Sequence, residues 1–415
     1  MLAAVVAVAL AAPAPLRLAD LLREAQDKNP DLKAAEGRAA AALSSVSPAG
    51  ALDDPMLMVQ VWNAPLDLSS VPVMLQITQP LPLGGKRAAR RESATAEADA
   101  AKASAAATAQ DVRTAVATSY FDLFLAQRTQ EIDDDVEGVL NLALKAAEAR
   151  VGVGKAEQVD LLKAQGALVQ LRSEREIARD HEASAWAKLA ALLDRDPTSP
   201  PGTTTRPAPL PSLPDVNHLR ERALLERPEL ASAHAMISGA EAQMRLAHAA
   251  NVPDIALTAA AMHTFHAPAG ADNFFFAGVQ VNLPVFSGSK NQPRVSATAQ
   301  QVQAARNAGR AMHNKVASEI AESYAHVQSE ARQIALHDQL IPISTQTVES
   351  AEASYAAGRV DFLMVLDSVR ELRMHHLDRA MHLAQYEQRL AELERAVGAD
   401  LGLVAAAEAG HAHDH

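Results

Sequence analysis

The 415-residue chain contains no cysteine, which excludes disulfides, thiolate metal centres, cysteine nucleophiles and a cysteine-borne lipid anchor within it. Aromatic residues are scarce: eight Phe, four Tyr and two Trp are few for the two or three globular domains that such a length ordinarily implies. A basic surplus is missing too. The formal charge is −12, with acids and bases interspersed, so the phosphate-neutralising footprint of a nucleic-acid binder is absent and no nucleic-acid partner is expected. No stretch reaches the ~18 to 20 apolar residues of a membrane helix, so any membrane crossing falls to strands. Neither a Gly-rich phosphate loop, a zinc-protease helix motif nor a nucleophile elbow occurs, and scattered carboxylates belong to any charged helix face. The chain reads as a non-enzyme without a cofactor.

What is present begins with MLAAVVAVALAA, an apolar run too short to span a bilayer and followed by small residues. It reads as the core and cleavage region of a signal peptide over residues 1–15, which implies export.

The remainder is written twice. Asn29-Pro30-Asp31-Leu32 recurs as Arg227-Pro228-Glu229-Leu230, 198 residues on, and Leu81-Pro82 with Gly85-Lys86 returns as Leu283-Pro284 with Gly288 and Lys290. Val112, Val116, Tyr120 and Leu123 step by 4, 4 and 3, and Val316, Ile320, Tyr324 and Val327 repeat those steps at a constant 204. One helical stripe has been copied. The repeats are assigned to 16–196 and 215–400. Between them, residues 197–214 hold 7 of the 22 prolines and form a linker, because proline suits neither helix interior nor central strand. A His-containing tail occupies 401–415.

Each repeat carries two segments of period-two alternation, near 55–63 and 71–79, then near 253–265 and 274–283. In the second of each pair, Val73, Leu75, Ile77 and Phe275, Ala277, Val279 share one side, while Gln76, Thr78 and Gln280, Asn282 share the other. Their length suits tilted membrane strands, and Trp62, Phe265, Phe274, Phe275, Phe276 and Phe286 in or beside them suit interfacial girdles. Alternation alone leaves open a small sheet packed on helices. The helical segments argue against that: residues 87–150 continue without proline for roughly 95 Å at 1.5 Å per residue, and 289–356 repeat the rod. Returning helices are expected at about 155–195 and 217–250. Leu383, Tyr386, Leu390, Leu393 and Val397 alternate steps of 3 and 4, the seam of a left-handed coiled coil. Gly138 and Pro342 weaken the two rods at equivalent heights, where a kink or change of twist is expected. The fold class is therefore mostly α with a small β part. Four strands cannot close a barrel, and an open edge in lipid leaves amides unsatisfied, so several copies must combine.

With its duplicated strand-strand-long-helix-turn-helix order, the chain resembles the TolC family of outer-membrane factors over nearly its whole length. Two hairpin motifs carry the likeness: Arg150-Val151-Gly152-Val153-Gly154-Lys155 leading to Val159-Asp160-Leu161-Leu162, and Tyr355-Ala356-Ala357-Gly358-Arg359 leading to Val365-Leu366-Asp367. The resemblance implies a homotrimer with a twelve-stranded barrel in the outer membrane of a Gram-negative bacterium, continued by a coiled-coil α-helical tunnel through the periplasm. It implies docking of the tips (Val153, Gly154, Lys155, Gly358 and Arg359) to a periplasmic adaptor. An inner-membrane RND transporter is reached through that adaptor. Asp160 and Asp367 match the acids that ring the family's narrow periplasmic aperture, where like charges attract cations. The sequence departs at Met364, where a second acid is common, and at Val360, where a basic latch can sit; Arg359 is a substitute candidate.

Asp54-Pro55-Met56-Leu57-Met58 and Gln79-Pro80-Leu81-Pro82-Leu83-Gly84-Gly85-Lys86-Arg87 are similar to members serving heavy-metal pumps of the cobalt-zinc-cadmium and copper-silver kind. The resemblance makes metal export the leading reading, with drug export or type I protein secretion as alternatives. His411, His413 and His415 place imidazoles at alternate positions able to capture Zn, Cu, Ni or Co weakly; a tail without ligand role is the plainer alternative. His375 and His376 have Leu171 and Arg172 as counterparts, so no paired metal site is expected there. Met56, Met58 and Met74 are read as apolar strand residues. From a different class, a periplasmic coiled-coil adaptor would also use long hairpins, but it would carry a lipoyl-like module in place of repeated strand pairs.

Overall fold

The computed structural model describes residues 15–61, 72–154, 157–205, 210, 212–264, 273–285 and 287–402. The signal segment, the 411–415 histidines, Lys155, Trp62, Phe265, Phe286 and part of the Pro-rich linker lie outside the described residues. In chain order the elements are α1 (Leu18–Lys28), α2 (Pro30–Ala49), β1 (Met56–Val61), β2 (Pro72–Leu81), α3 (Lys86–Gly152), α4 (Gln158–Leu192), α5 (Val216–Glu226), α6 (Pro228–Ala249), β3 (Asp254–Thr264), β4 (Asn273–Asn282), α7 (Ser287–Ala356) and α8 (Phe362–Val397). Helices α3 and α7 are 67 and 70 residues long and pass Gly138 and Pro342 without interruption. The segment 217–250 is two helices rather than one. Pro228 has no amide to give and disfavours helical geometry at the residue before it, and Arg227 is accordingly extended, with ψ 116°. Asn29 before Pro30 does the same, with ψ 124°.

The chain divides into two compact units that each draw on both repeats. One comprises 34–106 and 228–314. It contains an antiparallel sheet of order β1-β2-β3-β4. Register places Leu57, Val59, Leu75, Ile77, Ala259, Ala261, Phe275 and Ala277 on one face, and Met56, Met58, Gln76, Thr78, Thr258 and Ala260 on the other. Met56 and Met58 thus share a face with Gln76 and Thr78. On the first face Leu57, Val59, Leu75, Ile77 and Phe275 are exposed in the single chain. Among the described residues, the edges β1 and β4 each have a neighbour on one side only. Lys86, at the start of α3, joins β3 through Asp254 at 2.6 Å and the Val252 carbonyl at 2.8 Å. Helical contacts in this unit rest on small residues, with Ala89, Ala94, Ala96, Ala98, Ala242 and Ala247 buried, which lets backbones approach closely.

The other unit comprises 1–33, 107–227 and 315–415. Here the copied stripe is buried: Val112, Val116, Tyr120 and Leu123, and Val316, Ile320 and Val327. Tyr324 is only half-buried, whereas Tyr120 is 1 % exposed and donates to the Leu16 carbonyl at 3.0 Å. The coiled-coil seam of α8, Leu383 to Val397, is buried throughout.

Candidate functional site at the hairpin tips

The tips of α3–α4 and α7–α8 share one core. Ile132, Val136, Leu140, Ala143 and Ala147 of α3 meet Ala164, Leu168 and Leu171 of α4, Val348, Ala351 and Tyr355 of α7, and Phe362, Val365, Leu366 and Val369 of α8. The α3, α4 and α7 sets advance by 3 or 4, and the α8 set adds the adjacent pair Val365 and Leu366 to the same spacing, so every helix turns one stripe inward. The helices reverse at glycines in the left-handed region, Gly154 at φ +70° and Gly358 at φ +75°, a conformation open to glycine at little cost. The Gly154 amide donates to the Val151 carbonyl and the Gly358 amide to the Tyr355 carbonyl, both at 2.9 Å. Asp361 then caps α8, accepting from the Leu363 amide at 2.7 Å.

Where the two tips meet, Tyr355 at the end of α7 donates to Asp160 Oδ2 at 3.2 Å. Asp160 lies in the first turn of α4, where the helix dipole favours a carboxylate. The Arg150 guanidinium, from the last turn of α3, stands 4.4 Å from the centre of the Tyr355 ring, a cation–π contact. Phe362 packs edge-on against the same ring at 5.2 Å. Burial first, and the Asp160 charge second, push the Tyr355 phenol above its ordinary value against the opposing Arg150. The phenol therefore remains a donor.

Asp160 is half-buried, while Asp367 is exposed and pairs with Arg370 at 3.4 Å, one turn on. Val153, Gly154, Gly358 and Arg359 are exposed at the tips. Val360 packs on the tip core and Met364 is exposed. Among the described residues, Arg150 is a cation beside the tip contact. The sequence reading passed over Arg150 and Tyr355, although each opens one of the two hairpin motifs.

The sequence profile of the outer membrane efflux protein family matches residues 21–195 and 219–399. The chain belongs to that family. An outer membrane efflux protein is a duct rather than an enzyme, and the tips supply a joint between helices. Among relatives, this family member is 25 % identical over 390 residues to the cobalt-zinc-cadmium resistance protein CzcC of Cupriavidus metallidurans, covering 93 % of this chain and 91 % of that one. It is 27 % identical over 265 residues to the cation efflux system protein CusC of Escherichia coli K12, covering 62 % of this chain and 57 % of the relative. Its fold matches a crystal structure of CusC with TM-score 0.80 at 20 % identity, covering 93 % of each chain. It also matches the outer membrane protein VceC of Vibrio cholerae with TM-score 0.79 at 20 % identity, covering 92 % of this chain and 96 % of that one.

Proposed function

We propose that this outer membrane efflux protein is the homotrimeric exit duct of a tripartite system that exports heavy-metal cations, fed by an inner-membrane RND transporter through a periplasmic adaptor. One observation carries the assembly. The four-stranded sheet exposes an apolar face, and β1 and β4 each keep one side without a neighbour among the described residues. In lipid such edges are satisfied by joining the next copy, and three copies give the twelve strands that a closed barrel can use. The metal reading draws on the relatives named for cobalt-zinc-cadmium resistance and cation efflux. In this reading Asp160 and Asp367 ring the periplasmic aperture. Val153, Gly154, Lys155, Gly358 and Arg359 meet the adaptor, and the imidazoles of His411, His413 and His415 capture cations weakly.

Deleting the chain's gene and comparing tolerance to zinc, cobalt, cadmium and copper with tolerance to drugs tests the cargo. Loss of metal tolerance is expected, and a drug-only phenotype defeats the reading in favour of a drug duct. Membrane fractionation tests the assembly: a soluble monomer would end it.

A further inference from the structure

The two copies of the hairpin differ at one height. In the first, Asp133 on α3 is fully buried and accepts from Arg373 Nε at 2.7 Å, while Arg373 Nη1 reaches Glu174 Oε2 on α4 at 2.7 Å. A guanidinium thus sits between carboxylates of the two helices. At the constant spacing of 204, Asp133 and Glu174 correspond to His337 on α7 and Asp378 on α8. The position matching Arg373 is Val169, which is exposed and carries no charge. The second copy keeps the donors but has no matching cation.

In their place stands a cluster that the repeat comparison had discounted. His337, His375 and Asp378 each offer one ligand atom, all within 4.8 Å of one another. His337 is 9 % exposed, and the Nδ1 atoms of His337 and His375 are both buried without a hydrogen-bond partner. Asp378 has no ion-pair partner among the described residues. Of the neighbouring charges, Asp338 is engaged by Arg379 at 2.5 Å, whereas Glu371 faces the cluster itself, 3.8 Å from His375 Nε2. The His382 ring stands 5.5 Å from that of His337, and its Nδ1 is 2.7 Å from Glu330 Oε2, which engages His382 outside the ligand set.

We propose that His337, His375 and Asp378 bind a divalent transition-metal cation of the zinc class between α7 and α8. Two imidazoles and one carboxylate are the donors such an ion takes, at about 2.0 to 2.2 Å, with a fourth position left to water. His375 and Asp378, three apart, lie on one face of α8, and α7 supplies the third donor, so small side-chain movements close the shell. The ion would tie the helices together beside Pro342, which has no amide to offer the Asp338 carbonyl one turn back. The site belongs to the duct wall and does not depend on which cargo the duct carries.

The test uses the detergent-solubilised full chain with His411, His413 and His415 replaced by Ala, which removes the tail imidazoles. After chelator treatment, zinc binding is measured by equilibrium dialysis and cobalt(II) binding by its visible absorption. About one ion per chain, a tetrahedral cobalt spectrum and a zinc-dependent rise in melting temperature are expected. Affinity falls by roughly tenfold or more in His337→Leu and in Asp378→Asn. No zinc bound by the tail-substituted chain, or unchanged affinity in both variants, overturns the proposal. Should His337→Leu fail to fold, the near-isosteric Asp378→Asn decides. Because the readout is binding in solution, it succeeds or fails independently of the tolerance phenotype.

Discussion

The Tyr355 hydroxyl donates to the Asp160 carboxylate at 3.2 Å across 195 residues of chain, so the last turn of α7 holds the first turn of α4. The bond fixes the separation of the two hairpin tips from inside a single subunit. Arg150, stacked on the same ring, adds a third helix to the joint.

Tyr355→Phe keeps the ring and removes only the donor. A hydrogen bond to a charged acceptor contributes about 1.5 to 3 kcal/mol, and the half-exposed Asp160 brings the expected loss to about 1 kcal/mol. Channels of this variant in planar bilayers should conduct more than the parent, with a slightly lower melting temperature. Unchanged conductance would show that the joint does not restrain the tips.

Asp160→Asn combined with Asp367→Asn removes two negative charges per chain from the proposed aperture. Cation selectivity should fall, since like-charged rings concentrate cations, and conductance should rise, since Asp160→Asn weakens the charged acceptor by which Tyr355 holds the tips. Reversal potentials in a salt gradient measure the selectivity, and no change in either quantity removes both acids from the gate.

Asn29 and Arg227 occupy the same motif position in the two repeats and do the same work by different chemistry. Asn29 Nδ2 donates to the Leu192 carbonyl at the end of α4 at 2.9 Å, and its Oδ1 accepts from the Leu32 amide at 3.0 Å. Arg227, 3 % exposed, donates to the carbonyls of Arg395 and Ala396 at the end of α8 and to Glu319 at 2.7 Å. Arg227→Ala should cost roughly 3 kcal/mol, because it takes the buried donor from the α8 carbonyls and leaves the partly exposed Glu319 with Lys315 alone, whereas Asn29→Ala should cost about 1 kcal/mol. Denaturant melts of the two variants should keep that order.

Gly84 sits at φ +69°, and a Cβ there would lie 2.8 Å from the Val252 side chain. Gly84→Ala therefore adds backbone strain of about 1 to 3 kcal/mol to a steric clash at the joint between β2 and α3. The expected result is a reduced yield of folded protein in membranes. Gly85→Ala shares a positive φ of +78° but meets open space, so it should be the milder of the pair.

Glu352, half-buried near the tip of α7, has its carboxyl raised above the ordinary value of 4.5, by burial first and by Glu349 second. A raised carboxyl means that the folded tip holds its proton where the unfolded chain has lost it. The contribution of Glu352 to stability is then fully present below pH 4.5 and is lost as pH rises through its folded-state value. Glu352→Gln should flatten that decline, and melting temperatures measured from pH 4 to 7 for both proteins check the sign.

Much of the fold was legible because long-range periodicity survives tertiary packing. Four membrane-length alternations and copied stripes of 3 and 4 leave few arrangements that bury apolar faces and satisfy the backbone. The seam from Leu383 to Val397 and the stripe from Val112 to Leu123 lie where their spacing places them. Helices α1 and α2 are not among the sequence expectations, and Pro228, a repeat marker in the sequence, also breaks the helix at Arg227.

At the sites, legibility was more uneven. Gly154 and Gly358 announced the reversals, since a left-handed residue between helices has a strong residue preference. Arg150 and Tyr355 stood in the motifs without a stated role, because a cation–π contact between helices 205 positions apart leaves no periodic trace. His375 has Leu171 as its repeat counterpart, and the structure sets its ring 5.6 Å from that of His337 on the other helix.

The sequence by itself determined the duplication, the strand pairs, the overlong hairpins and their inward stripes, because these follow from where apolar residues recur and where proline and glycine interrupt them. Only the tertiary structure decided which side chains meet across helices: Tyr355 with Asp160, Arg227 with the end of α8, and His337 with His375 and Asp378. Such meetings depend on helix rotation and axial stagger, quantities that a stripe of apolar residues fixes only to within a turn, while a hydrogen bond or a ligand shell requires them to within an ångström.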